Sequence, residues 1–136
     1  MTILMLQIAG VALLALAASH VFFPRQFDWR NDLQRLSLLN RQIFISHCIF
    51  LVMMLVMMGL LSLLYARDLV QPSPVNRAVT GGLALFWGLR FLAQHLFYSP
   101  QHWRGNRFRT IMHVAFSLLW VYLCTTYSLA WLAAGQ

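Results

Sequence analysis

The chain reads as an all-α membrane protein, a bundle of four transmembrane helices with a short interfacial amphipathic helix between spans one and two. Three observations lead there. Of its 136 residues, 60% are hydrophobic and only 10% are charged, where a soluble domain carries about 25% charged residues. Apolar runs at about 3–23, 43–66, 79–98 and 111–134 are each long enough to cross a hydrocarbon core of about 30 Å. The charges fall almost entirely between those runs, so the whole length forms a single integral membrane domain.

The first span, Ile3 to Phe23, contains Ala15-Leu16-Ala17, which imitates a signal-peptidase site, but no basic stretch precedes it and it is retained as a helix. Its Ala12, Ala15 and Ser19 form a small-residue stripe that admits a neighbouring helix. In the connection 24–42, Trp29, Leu33, Leu36 and Leu39 recur at helical spacing, with Arg30, Asp32, Arg35 and Arg41 elsewhere on the wheel. Asp28 caps the start after Pro24. The second span, Ile43 to Ala66, holds Met53, Met54, Met57 and Met58 beside Gly59, an ordinary packing or lipid-facing run. A short extended connection stiffened by Pro72 and Pro74 follows.

The third span, Val79 to Tyr98, carries Arg90, Gln94 and His95, and a small face of Gly81, Ala84 and Gly88. An arginine at the centre of a spanning helix costs roughly 2.5–3.5 kcal/mol on insertion scales. Such a residue faces protein or water and has a job. A basic loop with His102, Trp103 and Arg104 leads to the fourth span, Ile111 to Ala134.

The charge is unusual in kind. All ten cations are arginines, glutamate and lysine are absent, and the only acids are Asp28, Asp32 and Asp68. Di-iron carboxylate sites, hard Ca²⁺ or Mg²⁺ cages and glutamate proton relays need carboxylates at helix depth, and no apolar run has one. The net charge of +7 is spread over loops between spans, which suits anionic lipid headgroups and not nucleic acid. Cys48 and Cys124 fall about 12 Å apart in depth, beyond the roughly 7 Å Cα separation a disulfide tolerates; both are expected as free thiols.

Seven arginines lie in the connections 24–42 and 99–110 against two, Arg67 and Arg77, in 67–78. That bias puts both termini outside the cytoplasm of what reads as a bacterial inner-membrane protein. On this topology His20, His47, His95 and His113 all lie within about five residues of the cytoplasmic boundary, about 7 Å of depth. His113, Ser117, Trp120 and Cys124 make one stripe on span four; His47, Leu51, Met54 and Met58 make one on span two. Arg90 and Gln94 share a face with Trp87 and Tyr98 close to it, while His95 lies about 100° round from Gln94.

Inward-facing side chains at one level are how bundles build cofactor sites. His20, His47, His95 and His113, with Arg90 and Gln94, are therefore the candidate cofactor-binding residues, and the four histidines the candidate metal ligands. Haem or a transition metal is the favoured cofactor, with His47/His113 or His20/His95 as haem pairs; a quinone headgroup ranks behind them. The expected function is thus a membrane-embedded cofactor-binding or redox module. The alternatives are a non-catalytic accessory subunit of a larger membrane complex or homo-oligomer, and a small lipid-modifying enzyme acting at His102. No nucleophile elbow, phosphate-cradling loop, dinucleotide fingerprint or CxxC pair occurs, and four spans without an inverted repeat disfavour secondary transport.

The stretches PRQFDWRNDLQRLSLLNRQIFISH and LALFWGLRFLAQHLFY resemble, over about half the chain, a family of small bacterial four-span membrane proteins with no established activity. The shared look is HxxxP…LxxLxxLxRQIFxxH followed by FWxxRxxxQ, here His20, Pro24, Arg41, Gln42, His47, Trp87, Arg90 and Gln94. The resemblance implies the four-span fold and assigns no role to any residue.

Overall fold

The computed structural model describes residues 1–97 and 107–136, and all regular structure among them is helical. The elements are α1 (Thr2–Ser19), α2 (Phe23–Gln26), α3 (Trp29–Gln34), α4 (Leu38–Leu64), a 3-10 turn (Asp68–Val70), α5 (Pro74–Leu96) and α6 (Arg107–Ala133). They divide into two compact units, Gln7–Tyr65 and Met1–Leu6 with Ala66–Gln136. Three helices, α1, α4 and α6, are long and apolar enough to cross a membrane. The third apolar run forms a helix, α5, 23 residues long, but Arg77, Thr80, Arg90, Gln94 and His95 make it more polar than the other three, and it is not among the helices apolar enough to cross a membrane.

In the unit Gln7–Tyr65, α1 gives way to a tight turn at its C-terminal end. The Ser19 hydroxyl donates to Leu16 O at 2.7 Å, and backbone bonds run from His20, Val21 and Phe22 to carbonyls three residues back. The connection holds two short helices, α2 and α3, and the helix expected after Asp28 ends at Gln34. Asp28 adopts φ 49° and ψ 40°, a left-handed conformation that short polar side chains tolerate. It does stand at the N-cap position of α3, but its carboxylate accepts from the Asn31 side chain at 2.7 Å and caps no backbone N–H. Trp29 meets Phe44 edge-on at 4.9 Å, which lays α3 against the start of α4. Leu39 belongs to α4, because Ser37 accepts from Asn40 N and starts that helix five residues before Ile43.

Helices α1 and α4 approach at backbone level. A Cβ on Gly10 would lie 2.7 Å from Gly59 O and 2.8 Å from Leu63 N. The close approach is therefore at Gly10 and Gly59, and not at the expected stripe, of which Ala15 is exposed. Met53, Met54 and Met57 are exposed and Met58 is buried, so the methionine run is mostly an outward face.

In the other unit, Ser73 caps α5 by accepting from Val75 N, with Pro74 at the first turn. The helix therefore begins five residues earlier than its apolar run. Asn76 donates to Asp68 O and Gln71 O, closing the preceding turn onto α5. The buried side chains of α5 are Thr80, Leu83, Trp87 and Gln94. Gly81 would place a Cβ 2.8 Å from Trp131 Cδ1 and Gly88 one 3.5 Å from Cys124 Sγ, so the two glycines of the expected small face meet α6. The Arg77 guanidinium lies 5.0 Å over the Trp131 ring, and Tyr122 Oη donates to Met5 O at 2.8 Å. Cys48 and Cys124 are free thiols.

Two alanine substitutions separate the tight glycine from the loose one. Gly10→Ala pushes a methyl into Gly59 and Leu63 backbone, which cannot yield as a flexible side chain would; a loss of about 1–3 kcal/mol is expected, as for overpacked cores. Gly82 has open space where its Cβ would stand, so Gly82→Ala is neutral or up to about 1 kcal/mol stabilising. Reversible unfolding in mixed micelles reads both.

Candidate functional site

Gln94 is only 5% exposed, an amide buried on α5 that finds its partners on α6. Its Nε2 donates to His113 O at 2.9 Å and to Ser117 Oγ at 3.0 Å, and its Oε1 accepts from Trp120 Nε1 at 2.6 Å. The amide orientation is dictated by Trp120, whose indole can only donate and so requires the oxygen opposite it. Ser117 Oγ donates in turn to His113 O at 2.8 Å. With both N–H groups committed, the 3.4 Å approach of Gln94 Nε2 to His113 Nδ1 adds little, being long for a hydrogen bond.

Trp120 is also the centre of an aromatic stack. Trp87 lies parallel to it at 5.1 Å and 12°, Phe116 at 5.7 Å and 12°. The Arg90 guanidinium sits 4.9 Å over the Trp120 ring, so the arginine meets a π face. The only carboxylate of this unit, Asp68, precedes the N-terminus of α5, and Pro74 itself is about 24 Å along the helix from Arg90. A guanidinium over an indole is worth about 0.5–2 kcal/mol, more as it is desolvated, and Arg90 is half-buried. Trp87 Nε1 and Thr126 Oγ1 are buried without a hydrogen-bond partner among the described residues.

His95 and His113 come together at the same end of this helix pair, their rings edge to face at 5.3 Å. His95 is exposed, with Phe91 against its ring at 4.6 Å and its Nε2 3.4 Å from Ser117 Oγ. The 100° offset from Gln94 places His95 at the edge of the contact face and not off it.

His20 and His47 belong to the other unit. Each directs Nδ1 at its own helix backbone, His20 to Leu16 O at 2.7 Å and His47 to Ile43 O at 2.8 Å. Those carbonyls can only accept, so Nδ1 carries the proton and Nε2 points away from the backbone. Among the described residues no group of three or more His, Cys, Asp or Glu side chains could hold a metal ion. Tyr98, His102 and Arg104 lie outside the described residues.

Sequence reasoning named Arg90, Gln94, His95 and His113 as site residues but passed over Ser117 and Trp120, which complete the network. Their signal was present in the i, i+4, i+7 stripe that starts at His113. The part played by the indole N–H as the donor that orients Gln94 had no such signal.

Gln94→Leu strands the Trp120 N–H and removes both donors to α6. Each lost interhelical bond is expected to cost about 0.6–1.7 kcal/mol. Trp120→Phe removes one bond and keeps a ring, so its loss is smaller. The double variant costs less than the sum, because the two residues share a bond; unfolding midpoints of the four proteins test this. No family model, curated protein or solved structure matches the chain.

Proposed function

We propose that the chain is a four-span integral membrane protein of the bacterial inner membrane, acting as a binding module for a quinone-type headgroup at the His95/His113 end of α5 and α6. Support for the fourth span comes from the faces of α5. Its outward residues Leu85, Phe86, Leu89, Leu92 and Leu96 are exposed and apolar, while Thr80, Trp87 and Gln94 are buried. Polar inside and apolar outside is the arrangement lipid demands. The arginine bias of the connections puts that end, and the module, at the cytoplasmic leaflet, with both termini on the other side.

The observation that carries the ligand reading is the pair of imidazoles in edge contact at 5.3 Å beside the Ser117 hydroxyl, at a lipid-accessible edge. An imidazole N–H offers a hydrogen bond to a carbonyl oxygen, and a quinone is soluble in the surrounding phase. Haem held by this pair would need a slot between the rings, and rings in contact leave none. A metal centre would need three or four donors, and the described residues bring no such group together.

A second reading, the accessory subunit, draws on the complete commitment of Gln94 to α6. In that reading the polar stripe locks helices and the broad apolar faces meet partner subunits.

Titration of the detergent-purified protein with a short-chain ubiquinone, followed by tryptophan quenching, is expected to saturate at one per chain. His95→Ala and His113→Ala each weaken it about tenfold, the loss of roughly one hydrogen bond of 1–1.5 kcal/mol. A stoichiometric Soret band or metal lost in the same variants contradicts the quinone reading. A colourless protein without saturable binding that migrates with larger subunits favours the accessory reading. Reporter fusions at both termini are expected to report the non-cytoplasmic side.

A further inference from the structure

A second binding region lies in the unit Gln7–Tyr65, away from the residues discussed above. An open cleft of about 820 Å³ is lined by the C-terminal end of α1, the connection carrying α2 and α3, and the first half of α4. The volume is within the range of sites that hold small molecules. Its α4 wall is a stripe of Ile45, Cys48, Ile49, Val52 and Met53, spaced i, i+3, i+4, i+7, i+8 and about 12 Å long. This stripe runs from the start of α4 toward its middle, so the wall becomes purely aliphatic with depth.

The polar lining is all at the other end. Arg25 and Arg30 come from the connection, with Asp28 between them, and His20 from the end of α1. Neither guanidinium is in an ion pair among the described residues; the Asp28 carboxylate instead accepts from Asn31. The His20 ring is held by its Nδ1 bond to Leu16 O, which leaves Nε2 directed away from the backbone. Trp29, half-buried against Phe44, also lines this end, and indoles are enriched at membrane interfaces. Two unpaired arginines and one occupied aspartate give a positive end to an apolar trough.

We propose that this cleft is a binding site for one anionic phospholipid, its phosphate met by Arg25 and Arg30 and one acyl chain lying along Ile49, Val52 and Met53. Planar guanidinium groups pair with phosphate oxygens in bidentate fashion, and the leaflet that the arginine bias assigns to this end is the one rich in anionic lipid. A neutral amphiphile makes no use of the two arginines. The proposal rests on the reading that the chain spans a bilayer, which resistance to alkaline carbonate extraction tests separately.

The experiment is native mass spectrometry of the full chain from micelles holding equimolar phosphatidylglycerol and phosphatidylcholine. One phosphatidylglycerol per chain is expected to be retained in preference. Arg25→Gln and Arg30→Gln each lower that preference about fivefold, the worth of one arginine near an anionic surface. The charge-matched pair Arg35→Gln and Arg67→Gln, outside the cleft, leaves it unchanged. Met53→Trp, which fills the trough without altering charge, lowers retention of both lipids. Equal retention of the two lipids by the parent chain overturns the proposal, as does equal loss of preference in the charge-matched control, which would mean general attraction only.

Discussion

The carboxamide of Gln94 is the constraint on which the α5–α6 pair depends. One buried side chain from α5 takes a carbonyl, a hydroxyl and an indole N–H from α6. In a low-dielectric surrounding an unmade bond of that kind is expensive, so the rotation of α5 about its own axis is fixed by it. Once that rotation is set, the neighbours follow from helical spacing. Trp87 and Arg90, seven and four residues earlier, land on Trp120, and His95, one residue later, reaches the edge of the same face beside His113.

The arginine shows how the pair manages charge without an acid. Glutamate is absent from the chain and the three aspartates sit in the connections, so Arg90 is met by the electron-rich face of an indole. That face is held parallel to Trp87 and Phe116, and its own N–H is tied to Gln94. Packing, cation–π attraction and hydrogen bonding thus converge on Trp120, which is 4% exposed. Ring identity at this position matters more than hydrophobicity alone.

Much of the helical layout was legible from apolar run length, since all four runs are helical and three of them form helices long and apolar enough to cross a membrane. Starts were less legible: α4 and α5 each begin five residues upstream of their apolar run, where Ser37 and Ser73-Pro74 supply caps. A helix after Asp28 was legible as a periodic stripe, but its end at Gln34 was not, because the Ser37 cap starts α4 at Leu38 and takes Leu39 into it. The facing of the four histidines was not legible: His20 and His47 bond to their own helices, while His95 and His113 meet across two. Arg90 and Gln94 could be placed on one face from spacing, but the partners of that face were hidden. A tryptophan reads as apolar bulk until its N–H finds an acceptor. The cleft beside His20 was equally invisible, because it is assembled from α1, the connection and α4 rather than from any one motif.

The register of α5 against α6 is open to direct measurement through the native Cys124. A Cβ at Gly88 would stand 3.5 Å from Cys124 Sγ, within reach of disulfide geometry. With Cys48 replaced by serine, Gly88→Cys is expected to close an intramolecular disulfide with Cys124 on mild oxidation in native membranes, and Leu85→Cys and Leu92→Cys on the exposed face are expected not to. Bridging from Leu85→Cys or Leu92→Cys, with none from Gly88→Cys, would mean that α5 turns its polar face outward, and the account of the site would be wrong.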